Sequence, residues 1–225
     1  MKKTKNEFRR RCLEVNKYID VMSLLDKGNC DILCVSILGE ELKKTIDTDL
    51  ARILKANAFL LLYNLMEATI RNSITAIVDS INSENLAFSQ ISDKIKELWI
   101  KQEVKDIKDI NQNYKIVSNI SQKILKSSLL ELKDNCIKIS GNIDAMTIRN
   151  IAKQFGYEES KDGRSLLLIK EKRNKLAHGE YSFAEVGKEY TVSEISNLNL
   201  ETQNYIKDVL ISVEEYITKK KYKES

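Results

Sequence analysis

The chain of 225 residues contains no proline, seven glycines and a single histidine. With so few turn formers, a sandwich of many short strands has no means of punctuating itself, and long uninterrupted helices are expected instead. Cysteine is sparse too. Cys12, Cys30, Cys34 and Cys136 are too scattered for a disulfide framework, and a chain of this length needs no staples, so reduced thiols are expected. Cys30 and Cys34 would touch on one turn of a helix. A structural zinc site needs more ligands at matched spacing, and His178 lies far along the chain, so no metal or other cofactor is expected. The most apolar run, 56–66, is too short to cross a bilayer and is followed by Glu67 and Arg71. Glu14, Asn16, Lys17 and Asp20 interrupt the stretch where a secretory leader would sit. A cytoplasmic protein without a membrane segment is the expectation. A P-loop, a dinucleotide glycine fingerprint, HExxH and a calcium loop are all missing, which removes the usual support for nucleotide hydrolysis, hydride transfer and zinc proteolysis.

What is present is a soluble, helical composition, 42% hydrophobic and 31% charged, with 37 basic against 33 acidic residues. The resulting charge of +4 permits an anionic ligand without identifying one. Basic residues gather at both ends, from Lys2 to Arg11 and from Lys219 to Lys223. They read either as solvated, frayed helix ends or as a grip for nucleic acid.

Phe8, Cys12, Val15, Ile19 and Met22 recur at helical spacing, and Gly28 stands where that first helix would stop. Residues 31–38 are apolar and partly β-branched, too few to separate strand from helix. From a cap at Asp47 or Asp49, a helical pattern runs without a breaker to about Ser83 and forms the central buried helix. In 86–140, Ile95, Leu98 and Trp99 fit one helix, Val117, Ile120, Ile124 and Leu125 fit another, and 105–115 link them. Residues 136–140 fit a short strand. Asp144 can cap a helix ending at Gly156, and Ser165 can cap the next, which reads from Leu166 to about His178 with Gly179 beyond it. Thr191 and Glu194 form a capping-box pair opening a last long helix, with Ile195, Leu198, Tyr205, Ile206, Val209, Val213, Tyr216 and Ile217 on its apolar stripe.

One segment carries chemistry: Arg173-Asn174-Lys175-Leu176-Ala177-His178-Gly179-Glu180. At about 100° per residue, Arg173 falls on the inward face between Leu166, Ile169, Leu176 and Ala177. An unpartnered guanidinium there is costly, so it meets a carboxylate such as Glu67, a bound anion, or a cleft, or else its stem packs while its head reaches water. His178 is the one side chain whose ordinary pKa, ~6.5, suits proton exchange near neutrality, but a histidine before a C-cap glycine also serves the helix dipole. An ideal helix sets positions 173 and 178 about 140° apart, so they converge only if the turn breaks near Ala177 or if two copies face each other.

The string from Arg173 to His178 resembles the signature of the HEPN superfamily (higher eukaryotes and prokaryotes nucleotide-binding), in which an arginine, usually followed by a polar residue, precedes a histidine by four to six residues. The wider context is similar to the MAE-type HEPN-like nucleases: residues 59–69 in the central helix, 141–144 before the small helix, and 179–183 after the histidine. The likeness spans roughly 48 to 217, and nothing is carried over to the first 45 residues or to 86–135.

The resemblance implies an all-α, up-and-down helical bundle forming one domain over 1–225. Its core would be 48–83 and 144–219, with 1–45 an N-terminal extension and 86–140 a helical insertion. It also implies a homodimer with a composite active site and metal-independent RNA endonuclease activity, often in toxin–antitoxin or phage-defence loci, with a cognate antitoxin or defence-system partner. The alternative is a non-catalytic HEPN module that binds RNA or protein. In the catalytic reading Arg173 holds the scissile phosphate and His178 moves the proton. Asn174 either orients the phosphate or His178 or serves local turn chemistry. Glu67 either positions Arg173 or pairs with Arg71 at i,i+4. Tyr181 and Phe183 either stack on bases or pack beneath their loop.

Overall fold

The computed structural model describes all residues except 26–30, 38, 40, 106–112, 138, 140, 161 and 225. Helices dominate them, in line with the missing proline. In chain order they are α1 (Lys2–Leu25), strands β1 (Asp31–Val35) and β2 (Glu41–Thr45), then α2 (Thr48–Ser83), α3 (Asp93–Val104) and α4 (Asn113–Leu125). After these come α5 (Ala145–Phe155), α6 (Arg164–Ala177), α7 (Phe183–Lys188) and α8 (Val192–Thr218). The class is all-α, with a single two-stranded hairpin among the described residues.

The chain divides into two compact units whose boundaries fall within α1, α2 and α8 and in the loop before α6. One comprises Met1–Lys5, Ala68–Asp162 and Ile206–Ser225, the other Asn6–Glu67 and Gly163–Tyr205. In the first unit, Ile70, Ile74, Ile77 and Ile81 of α2 and Val209, Val213 and Tyr216 of α8 supply buried apolar stripes, joined by Leu98, Trp99, Ile151 and Phe155. The Tyr216 hydroxyl donates to the Phe155 carbonyl at 2.9 Å, and burial pushes its pKa well above the ordinary range. Asp144 caps α5 as expected, accepting from the Thr147 N–H at 2.8 Å, and Gly156 ends the helix at φ +87°. The basic C-terminal cluster is tied down rather than frayed. Lys220 and Lys223 each reach Glu84 at 2.6 Å, while Lys219 and Lys221 reach Glu215 at 2.8 and 3.1 Å. These lysines, Lys220 first, hold the Glu84 carboxyl below its usual pKa.

In the second unit, Asp47 takes the cap of α2, accepting from the Leu50 N–H at 2.8 Å, and Asp49 pairs with Arg52 instead. Phe59, Leu62, Tyr63, Leu65 and Met66 are buried along α2, as are Cys12, Val15, Ile19 and Met22 along α1. By length and mean hydropathy alone α2 would pass as a membrane span, yet these side chains fill a protein core. The Tyr18 hydroxyl donates to the Leu54 carbonyl at 2.6 Å. Residues 31–35, undecided between strand and helix, pair antiparallel with 41–45 in the register Ile32↔Lys44, Leu33↔Lys43 and Cys34↔Leu42, and every residue of both strands is exposed. Cys34 is therefore not on a helix, and its suggested neighbour Cys30 lies outside the described residues, as does the helix stop at Gly28.

Two expectations are corrected. Ser165 does not cap α6: the N-cap is Gly163, left-handed at φ +103°, and Ser165 is buried one residue inside the helix. Asp162 and Gly163 both adopt positive φ, and this tight loop starts the helix earlier than a hydroxyl cap would. Residues 136 and 137 form a bend rather than a strand, while 138 and 140 lie outside the described residues.

Candidate functional site

The site grows from one turn of α2 and the second half of α6, both in the second unit. Leu166, Ile169 and Leu176 are buried as the periodicity requires, whereas Ala177 is exposed at the helix end. Arg173 shares this inward face, and its head meets α2. The guanidinium carbon lies 4.0 Å from the centroid of the Tyr63 ring, whose residue is only 3% exposed. Nη1 donates to Asn174 Oδ1 at 2.8 Å, and Nη2 stands 3.7 Å from Glu67 Oε2. The Arg173 side chain keeps 26% exposure and Glu67 keeps 22%.

Magnitudes rank these contacts. A guanidinium over a ring at a partly desolvated position gains ~1 to 2 kcal/mol. An ion pair at 3.7 Å with both partners about a quarter exposed gains less than ~1 kcal/mol. Of these two the ring is the larger support, acting beside the charged hydrogen bond to Asn174. Asn174 sets the rotation of the fork, and Glu67 guards one edge. Glu67 meets Arg173 because Tyr63 and Glu67 stand four residues apart, on one face of α2. That spacing is the signal by which Tyr63 could have been found; the sequence motifs include it only within 59–69.

At its C-terminus α6 closes in a Schellman arrangement. The Glu180 N–H donates to the Lys175 carbonyl at 3.0 Å and the Gly179 N–H to that of Leu176 at 3.3 Å, with Gly179 at φ +70°. His178 is the C-cap at φ −90° and ψ −3°, still helical, so the chain turns only after it. Its side chain is exposed and makes no hydrogen bond or ion pair among the described residues; no hydrogen bond joins it to Arg173 within one chain. The about 140° of helical separation between the two therefore persists.

Tyr181 does not pack beneath its loop: it is 40% exposed, with Lys175 Nζ 4.6 Å from its ring centroid. Phe183 is half-buried as the first residue of α7. A capping box opens that helix, the Ser182 N–H and hydroxyl donating to Glu185 Oε2 at 2.7 and 2.8 Å, which holds the Glu185 carboxyl below its usual pKa. Gly187 lets α7 lie against α2, since a Cβ there would fall 1.8 Å from the Arg52 carbonyl oxygen.

A second arginine reaches the same turn of α2. Arg11 of α1 donates from Nη1 to Asn64 Oδ1 at 2.6 Å and from Nε to Glu7 Oε1 at 3.1 Å. In the sequence Arg11 stands out only as one of a basic cluster, and no local pattern links it to Asn64. Among the described residues, no three His, Cys, Asp or Glu side chains converge as metal ligands.

Compared with known families, residues 1–222 match the model described as HEPN_MAE_28990-like HEPN. The match takes in α1 and 86–135, to which the sequence motifs carried nothing. No curated protein and no solved structure matches the chain.

Proposed function

The chain belongs to the MAE_28990-like HEPN family, and from that premise we propose that it is an RNA endonuclease that cuts without a metal, using the 2′-OH of its substrate. The supporting observation is the Arg173 guanidinium, laid on Tyr63, turned by Asn174 and still partly exposed, on the helix that ends in an exposed His178. A fork fixed in this way is prepared to hold a phosphate and to offset charge that grows on its oxygens. His178 removes the 2′-OH proton, the oxygen attacks the adjacent phosphorus, and the bond to the 5′ oxygen breaks. The leaving oxygen takes a proton from His178 of a second copy, so the products are a 2′,3′-cyclic phosphate and a 5′-OH. Each proton transfer supplies ~10² to 10⁴ in rate. The helical separation between positions 173 and 178 is the reason for assigning the pair to two facing copies. Tyr181, exposed beside Lys175, offers a stacking surface for a base.

The test is incubation of purified protein with single-stranded RNA in EDTA, followed by analysis of product ends. Cyclic phosphate and 5′-OH ends are expected, with cutting lost in Arg173→Ala and in His178→Ala. Loss of cutting in EDTA, or its persistence in both variants, overturns the reading. The Schellman cap favours a second reading, in which His178 only serves the helix end and the module binds RNA without cutting it. Binding without cleavage at neutral pH selects that reading. A toxin or phage-defence role predicts that growth arrest on expression requires both Arg173 and His178, and that a neutralising partner relieves it.

A further inference from the structure

Arg10 and Arg11 are adjacent in α1 and differ sharply in how they are used. Arg10 spends every guanidinium nitrogen on carboxylates: Nε and Nη2 donate to Glu7 at 3.0 and 2.6 Å, and Nη1 donates to Glu14 at 2.6 Å. Arg11 donates Nε to Glu7, already shared with Arg10, and Nη1 to a neutral amide, Asn64. Its Nη2 makes no hydrogen bond among the described residues, although the side chain is held at 26% exposure. Two anchors fix the plane of the Arg11 fork, and its outer edge keeps donors for an incoming acceptor. The Asn64 amide adds no counter-charge, and the one carboxylate that Arg11 meets, Glu7, is divided between two guanidinium groups.

The anchor position matters as much as the chemistry. Asn64 lies beside Tyr63 and three residues before Glu67, so its Cβ is about 5 to 6 Å from that of Glu67 on the α2 surface. Arg11 from α1 and Arg173 from α6 thus dock on the same turn of one helix, inside one compact unit.

We propose that Arg11, positioned by Asn64, is a second phosphate-binding residue, taking a backbone phosphate of single-stranded RNA next to the one held by Arg173. This rests on the ribonuclease reading above, and it assigns to α1 a direct role in holding substrate. The ligand is a phosphodiester chain rather than a mononucleotide, because one cation beside another rewards two linked anionic groups.

The test uses the full-length His178→Ala protein, so that RNA stays intact, with a short single-stranded RNA titrated at several salt concentrations. Adding Arg11→Ala is expected to weaken binding ~10-fold at low salt. The slope of log affinity against log salt should fall by about 0.7, the value for a single strand with one phosphate fewer neutralised. Asn64→Ala keeps the cation and loses its anchor, so affinity should drop a few-fold with the slope retained. A merely structural tie between α1 and α2 lowers the melting temperature of Arg11→Ala and leaves the slope untouched, and that result overturns the proposal. If the His178→Ala protein binds no RNA at all, the ribonuclease reading fails and this inference goes with it.

Discussion

Replacing Tyr63 with leucine removes the ring beneath Arg173 and keeps an apolar side chain in a buried place. Besides the hydrogen bond to Asn174, the ring and the Glu67 carboxylate both hold the guanidinium, and their contributions differ in size. The ring contact, at 4.0 Å with the arginine 26% exposed, stands toward the desolvated end of the cation–π range, ~1 to 2 kcal/mol. The ion pair to Glu67, at 3.7 Å and beyond hydrogen-bonding reach, is screened by nearby water and contributes ~0.5 kcal/mol. Tyr63→Leu also costs ~1 to 3 kcal/mol through poorer packing, and a double-mutant cycle cancels that part. Urea unfolding of Tyr63→Leu, Arg173→Met and the double variant should give a coupling of ~1 to 1.5 kcal/mol, against less than ~0.7 kcal/mol for the matching cycle with Glu67→Gln. If the Glu67 coupling is the larger, or the ring coupling is under ~0.3 kcal/mol, the ranking of the ring above Glu67 is wrong. RNA cleavage gives an independent readout: a guanidinium without its platform samples more orientations, so kcat/KM of Tyr63→Leu should fall ~10-fold while folding is retained.

Gly187→Ala places a methyl 1.8 Å from the Arg52 carbonyl oxygen, so α7 must retreat from α2, and urea unfolding should show a loss of at least ~2 kcal/mol. Burial raises the Tyr18 pKa from 10.0 to about 12. The folded state then holds its proton more tightly than the unfolded chain, so stability falls as pH rises from about 10 to about 12, and Tyr18→Phe should show a shallower alkaline loss than wild type when unfolding is followed by circular dichroism. Burial likewise raises the Cys12 thiol pKa to about 11, so iodoacetamide near neutral pH should label the exposed Cys34 promptly and reach Cys12 only on unfolding, as read by mass spectrometry.

The long helices were legible because their cores repeat a simple period. Ile195, Tyr205, Ile206, Val209, Val213 and Tyr216 are buried along α8 at the spacing their stripe required, and Thr191 with Glu194 forms the capping box that opens it, at 2.7 Å. α7 was not legible from periodicity, because six residues make under two turns; its local mark is the Ser182–Glu185 capping box, while Gly187 has meaning only against Arg52. The hairpin was hidden for the same reason: five residues per strand, exposed throughout, carry no burial pattern. At the start of α6, a left-handed glycine displaced the hydroxyl cap that the letters suggested, because loop geometry decides where the first helical turn begins.

At the site, the sequence by itself determined that an arginine lies on the inward face of a helix ended by glycine, with the only histidine in the chain at the cap. It offered Glu67 only as one of two readings, a support for Arg173 or an i,i+4 partner of Arg71. Tertiary structure alone decided that Tyr63 is the surface on which Arg173 rests, that Asn174 turns toward the arginine, and that Arg11 reaches the same turn through Asn64. The physical reason is range: periodicity and capping act within a few residues of the chain, whereas a ring, an amide and two guanidinium groups meet only once helices far apart in sequence have packed together.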